Sequence, residues 1–130
     1  MKTAKALAAV VFSLFVGTAS AQATLDQAMT EAAASIKKTL PQLVDSRTIL
    51  IDVEYADRNM TYVYVTSATK LQLQAIRSAV QKDSTEYNCA SRLIYSTLTG
   101  GVTYRYIYLD SNGDPGIAFS VSRKSCGPVM

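Results

Sequence analysis

CASRLIYSTLTGGVTYRYIYLDSNGDPGIAFSVSRKSC, residues 89–126, sets how this chain is understood. Ala90 to Thr99 present Leu93, Ile94 and Leu98 at helical spacing, which predicts a short helix. Gly100 is its expected left-handed stop. Val102 to Leu109 and Ile117 to Arg123 then alternate in side-chain character and are rich in β-branched and aromatic residues, which predicts two strands. Asp110-Ser111-Asn112-Gly113-Asp114-Pro115-Gly116 between them is turn chemistry throughout. The stretch begins and ends on the two cysteines of the chain, Cys89 and Cys126.

At the other end of the chain, the N-terminus reads as an address. Lys2 and Lys5 precede an apolar run from Ala6 to Val16, and Ala19-Ser20-Ala21 is a small-x-small cleavage site. The run is too short for a bilayer of ~30 Å, and no cysteine follows the site to take a lipid. The expectation is a signal peptide over residues 1–21 and a single domain over residues 22–130, exported to the periplasm or secreted, with no membrane insertion after cleavage. In such a compartment two cysteines imply one disulfide. Closing a loop of about 36 residues stabilises the fold by roughly 3–4 kcal/mol. Losing Lys2 and Lys5 lowers the formal net charge of +3 by two units. No basic field remains for nucleic acid or an anionic membrane.

Between the address and the cysteine-bounded stretch, helical and strand periods alternate. Leu25, Met29, Ala33, Ile36 and Leu40 form one stripe, predicting a helix over Thr24–Leu40 with Thr24 and Gln27 as its capping box. Pro41 disfavours helix at the residue before it. Thr48–Tyr55 and Met60–Thr66 read as a hairpin joined through Ala56-Asp57-Arg58-Asn59. Thr69–Lys82 returns to helical period, capped by Ser67 or Thr69, and Asp83-Ser84-Thr85-Glu86 reads as a polar break. The predicted architecture is α+β, ordered α-β-β-α-α-β-β. It is a two-layer sandwich of a four-stranded antiparallel sheet, built from two hairpins, with helices on one face and one disulfide.

Burying Arg105 without a partner is expensive, so Tyr104, Tyr106 and Tyr108 are expected to face the helices, as are Tyr62 and Tyr64. The same parity puts Ile49, Ile51, Val53 and Tyr55 inward. The open face then carries Asp52, Glu54 and Arg105 around Leu50, Val63, Val65 and Ile107, an apolar surface of the kind that marks a partner site.

Histidine is absent. No Ser-His or Cys-His nucleophile pair exists, and imidazole is unavailable as acid, base or metal ligand. With both cysteines oxidised, zinc and copper lose their usual ligands, and no phosphate-binding glycine loop is present. Ser35-Ile36-Lys37-Lys38 and Ser67-Ala68-Thr69-Lys70 fit Ser-x-x-Lys without the companion motifs of penicillin-recognising enzymes. Asp110-Ser111-Asn112-Gly113-Asp114 looks like the opening of a calcium loop but has Pro115 and Val121 where Gly and Glu are needed. No cofactor or metal is expected. Asp52 and Glu54, two apart on one strand, are the one carboxylate pair with glycosidase spacing.

The C-terminal third resembles the AspS-like pilotins of type II secretion in Gram-negative bacteria. The match lies in Tyr87-Asn88-Cys89, Leu98-Thr99-Gly100, Val102-Thr103-Tyr104-Arg105-Tyr106, Asp110, Gly113 and Val121-Ser122-Arg123-Lys124-Ser125-Cys126. It is also similar to an exported family described as quorum-sensing-regulated virulence factors, which Leu40-Pro41 to Val44-Asp45 fits better. Pilotins are periplasmic helpers that bind the secretin. The resemblance implies a disulfide-bonded α+β sandwich with a protein ligand rather than a reaction. The leading expectation is therefore a non-catalytic envelope protein of a secretion or virulence context. Its partner, another envelope or secreted protein, would lie on Leu50, Val63, Val65, Arg105 and Ile107. One alternative is a small ligand in a cavity lined by Tyr62, Tyr64, Tyr104 and Tyr106. The other is a minimal hydrolase using Asp52 and Glu54.

Overall fold

The computed structural model describes residues 17–128; the basic and apolar parts of the expected signal peptide, residues 1–16, lie outside them. Helix α1, Gly17–Lys37, passes without interruption through Ala21 and Thr24. Thr24 is thus an interior residue rather than the expected cap, and the helix ends three residues before Leu40. Thr39 closes it by donating its N–H and its hydroxyl to the Ile36 carbonyl, at 2.9 and 2.7 Å.

Three strands follow: β1, Gln42–Asp45; β2, Thr48–Ala56; and β3, Asn59–Thr66. The β2–β3 loop is two residues long, and Asp57 and Arg58 both adopt positive φ, 52° and 63°. This turn has the twist that continues a right-handed hairpin. Helix α2, Lys70–Ala90, starts on a capping box: the Gln72 N–H donates to Thr69 Oγ1 at 3.1 Å, and the Thr69 N–H to Gln72 Oε1 at 2.9 Å. Helix α3, Arg92–Thr99, leads to β4, Thr103–Leu109, and β5, Pro115–Val121, and a 3-10 turn at Arg123–Cys126 follows.

The sheet has five strands in the order β1-β2-β3-β4-β5, correcting the expected four antiparallel strands in two ways. Gln42–Asp45 folds back on β2 as a fifth, edge strand; four exposed residues carry too little alternation to be read as one. The two hairpins also join through a parallel pair, β3 with β4, in the register Met60↔Tyr104, Tyr62↔Tyr106 and Tyr64↔Tyr108. Parallel neighbours need a long crossover, and α2 with α3 supplies it. Alternation within a hairpin is blind to which way its neighbour runs.

The polar run Asp83–Glu86 does not break α2. It holds neither glycine nor proline, so its propensity cost is only a few tenths of a kcal/mol per residue. Two anchors just C-terminal to it outweigh that cost. Asn88 is 1% exposed, and Cys89 is bonded to Cys126 with Cα atoms 5.5 Å apart. The real joint is Ser91, which ends α2 and whose Oγ accepts the Ile94 N–H to begin α3. Gly100 is right-handed (φ −76°), and the positive φ of 101° falls on Gly101 instead. Gly100 is needed for proximity: a Cβ there would sit 2.5 Å from Leu25 Cδ2 of α1.

A register shift in β2 redraws the sheet's two faces. Leu50 pairs with Tyr64 and Asp52 with Val63, leaving Ile51 as the extra residue of a bulge. Beyond the bulge Val53 and Tyr55 face the helices as expected. Before it the parity is inverted: Leu50, 7% exposed, joins the core, whereas Ile49 (39%) lies on the open face. Val53, Met60, Leu73, Leu98, Val102, Ile117 and Val121 complete the centre of that core.

Candidate functional site

Helix α1 packs on β2, and α2 packs on β5. Gly116 makes the second contact possible, since a Cβ there would lie 2.5 Å from Leu73 Cδ1 and 3.0 Å from Leu73 Cβ. The two middle strands are left with a groove above them. Its floor is Tyr62 and Tyr64 of β3 with Tyr104, Tyr106 and Tyr108 of β4. Its wall is Asp83, Ser84, Tyr87 and Asn88 of α2 with Ile94 of α3, around a volume of about 440 Å³. Tyr108 also borders a second depression of about 210 Å³ that includes Ile76 and Val80. Ile76 and Val80 at that depression and Ser84 and Tyr87 at the groove therefore fall on one helical stripe.

The parallel register explains the floor. It places tyrosines of β3 and β4 directly beside one another, so Tyr64 and Tyr108 stack with centroids 4.6 Å apart and planes at 11°. Tyr62 and Tyr106 stack at 5.5 Å and 12°, and Phe119 continues the series beyond Tyr106 at 5.2 Å. Such pairs contribute about 0.5–1.5 kcal/mol beyond area burial. Two hydroxyls are anchored: Asn88 Nδ2 donates to Tyr106 at 2.7 Å, and the Tyr104 hydroxyl shares a 2.7 Å hydrogen bond with Thr97 Oγ1. The Tyr62 and Tyr64 hydroxyls have no hydrogen-bond partner among the described residues.

Burial raises the phenol pKa of all five floor residues, because the ionised ring would lose its water. Tyr62 is pushed up to about 12. The floor is consequently uncharged at neutral pH, a set of aromatic faces with hydroxyl edges. It can take an apolar side chain, an aromatic ring or a hydrogen-bonding group.

The structure brings together Tyr62, Tyr64, Tyr104 and Tyr106 as the sequence suggested. It adds Tyr108 and the α2 wall, which a helix broken at Asp83 could not have provided. Of the open-face residues, Val63, Val65, Arg105 and Ile107 share one face, and Leu50 lies on the other, beside Tyr64. Asp52 and Glu54 sit on the open face at the β2 edge and are both engaged by Lys37. Its Nζ lies 3.8 Å from Asp52 Oδ1 and forms a close hydrogen-bonded ion pair with Glu54 Oε2. The Asp110 carboxylate accepts the N–H groups of Asn112 and Asp114, at 2.8 and 3.0 Å, and so folds the β4–β5 turn. Among the described residues no three Asp, Glu or Cys side chains converge as metal ligands, and no helix is long and apolar enough to cross a membrane.

No protein-family model and no curated protein matches the chain. Solved structures do. The pilotin EpsS of the Vibrio vulnificus type 2 secretion system aligns over 83% of this chain and 96% of its own, with TM-score 0.66 and 17% identity. The type II secretion pilotin AspS of Vibrio cholerae covers 84% and 98%, with TM-score 0.57 and 21% identity. A Pseudomonas aeruginosa protein described as secreted covers 79% and 93%, with TM-score 0.71 and 11% identity. The chain shares its fold with these proteins across nearly their whole length.

Proposed function

We propose that this chain is an exported, non-catalytic envelope protein of pilotin type that holds a segment of another protein in its tyrosine groove. One observation carries the reading: with α1 on β2 and α2 on β5, a groove of about 440 Å³ floored by the tyrosines of β3 and β4 opens between the helices. The stripe from Ile76 to Tyr87 runs about 16 Å, at 1.5 Å per residue, past the groove and the depression beside it. An amphipathic segment of that length lays its apolar side on the rings and meets the Tyr62 and Tyr64 hydroxyls with polar groups. The likeness to two secretion pilotins supports a partner in the secretion machinery, with the secretin of the same host as the class to try first.

Ser84→Arg places a long charged side chain in the groove from a half-buried helix position. Titration with the purified secretin is expected to show binding weakened at least tenfold, with an unchanged urea midpoint. Affinity within twofold of wild type overturns the reading. The unpartnered hydroxyls of Tyr62 and Tyr64 favour a second reading, a small aromatic or sugar ligand, for which saturable thermal stabilisation in a ligand screen is the mark.

A further inference from the structure

Among the described residues nothing packs over the face of the sheet opposite the groove. Strand pairing sets its rows: Ile49, Val65 and Leu109; Asp52, Val63, Ile107 and Ala118; Glu54, Thr61, Arg105 and Ser120. Ile49 and the bulged Ile51 are 39% and 40% exposed. The salt bridges among the described residues all belong to Lys37, which serves Asp52 and Glu54. Arg105 is exposed and has no acidic partner there, although Glu54 lies in its own row two strands away, roughly 10 Å off at about 4.8 Å per strand.

We propose that this face binds a second copy of the chain. A twofold axis along β3 lays β2 of one copy over β4 of the other at the same height, so each Arg105 meets the partner's Glu54 and the contact is made twice. The same operation sets Ile49 against the partner's Leu109, and Val63 and Val65 against their own equivalents. Self-complementarity of this kind is what an isologous interface requires. The charges of the face, Lys37 and Arg105 against Asp52 and Glu54, cancel, which suits an identical partner better than a strongly charged one. Sheets stacked in this way lie about 10 Å apart.

The size of the face sets the strength. Five strands about 4.8 Å apart and seven residues of about 3.3 Å each give a footprint of roughly 550 Å² per copy. Twice that is at the lower end for specific complexes, the size class of reversible association. Both grooves stay open, facing away from each other.

Sedimentation equilibrium from 1 to 200 µM tests this. Wild type is expected to pass from monomer to dimer. Val63→Glu is expected to weaken association at least tenfold with unchanged circular dichroism. Arg105→Glu and Glu54→Arg should each weaken it, and the double exchange should restore it. A wild-type monomer throughout, a dimer indifferent to Val63→Glu, or a monomer whose secretin binding is lost on Val63→Glu overturns the proposal. The first two outcomes leave the groove untouched, the third also counts against it, and Ser84→Arg probes the groove separately.

Discussion

Asn88 donates its side-chain N–H to the hydroxyl of Tyr106 at 2.7 Å, joining α2 to the floor of the groove through two buried polar groups. Removing one partner strands the other in an apolar setting, at about 1–3 kcal/mol. Asn88→Leu and Tyr106→Phe are each expected to destabilise by that amount in urea, and the double variant by much less than the sum. Additivity within about 0.5 kcal/mol would show that the bond contributes nothing of its own.

The floor tyrosines couple stability to alkaline pH. Unfolded tyrosine ionises at 10.0, whereas folded Tyr62 ionises at about 12. As pH rises, the unfolded chain releases its protons first. The stabilisation is complete below pH 10 and is lost between pH 10 and 12. Urea midpoints should stay level to about pH 9.5 and then fall steeply, with absorbance at 295 nm rising in step with unfolding. A midpoint unchanged at pH 11 contradicts the buried floor.

The bond between Cys89 and Cys126 spans a sequence separation of 37. Its removal by Cys89→Ala with Cys126→Ala is expected to cost roughly 3–4 kcal/mol, and dithiothreitol should lower the melting temperature of wild type correspondingly. Equal melting with and without reductant would mean that the bond merely decorates a fold that stands without it.

The bulge makes neighbours in β2 behave as opposites. Leu50→Ala removes a buried side chain and should cost about 2–5 kcal/mol. Ile51→Ala alters an exposed one and should change stability by no more than about 0.5 kcal/mol. Similar costs at the two positions would place the register shift elsewhere.

Much of this architecture was legible because it is local. The β4–β5 turn, the β2–β3 hairpin, a cap at Ser67 or Thr69 and the pairing of Cys89 with Cys126 are each written within a few residues or forced by number. The inward tyrosines followed from the cost of burying Arg105. What escaped depended on partners remote in the chain. The inversion before Ile51 exists because β3 holds Leu50 against Tyr64, and nothing in the Ile-Leu-Ile run announces it. The unbroken α2 is held by Asn88 and Cys89 beyond the polar run. The parallel junction, and with it the stacked floor, is decided by the path of α2 and α3 across the sheet.

That junction bears on when the molecule becomes competent. Tyr62 and Tyr106 touch as neighbours in space, yet the whole of α2 and α3 must be made and folded before the second can reach the first. Contacts so distant along the chain form late. A nascent or prematurely ended polypeptide stopping short of β4 has only the Tyr62 and Tyr64 half of the floor, so the groove comes into being only once synthesis has passed Tyr108.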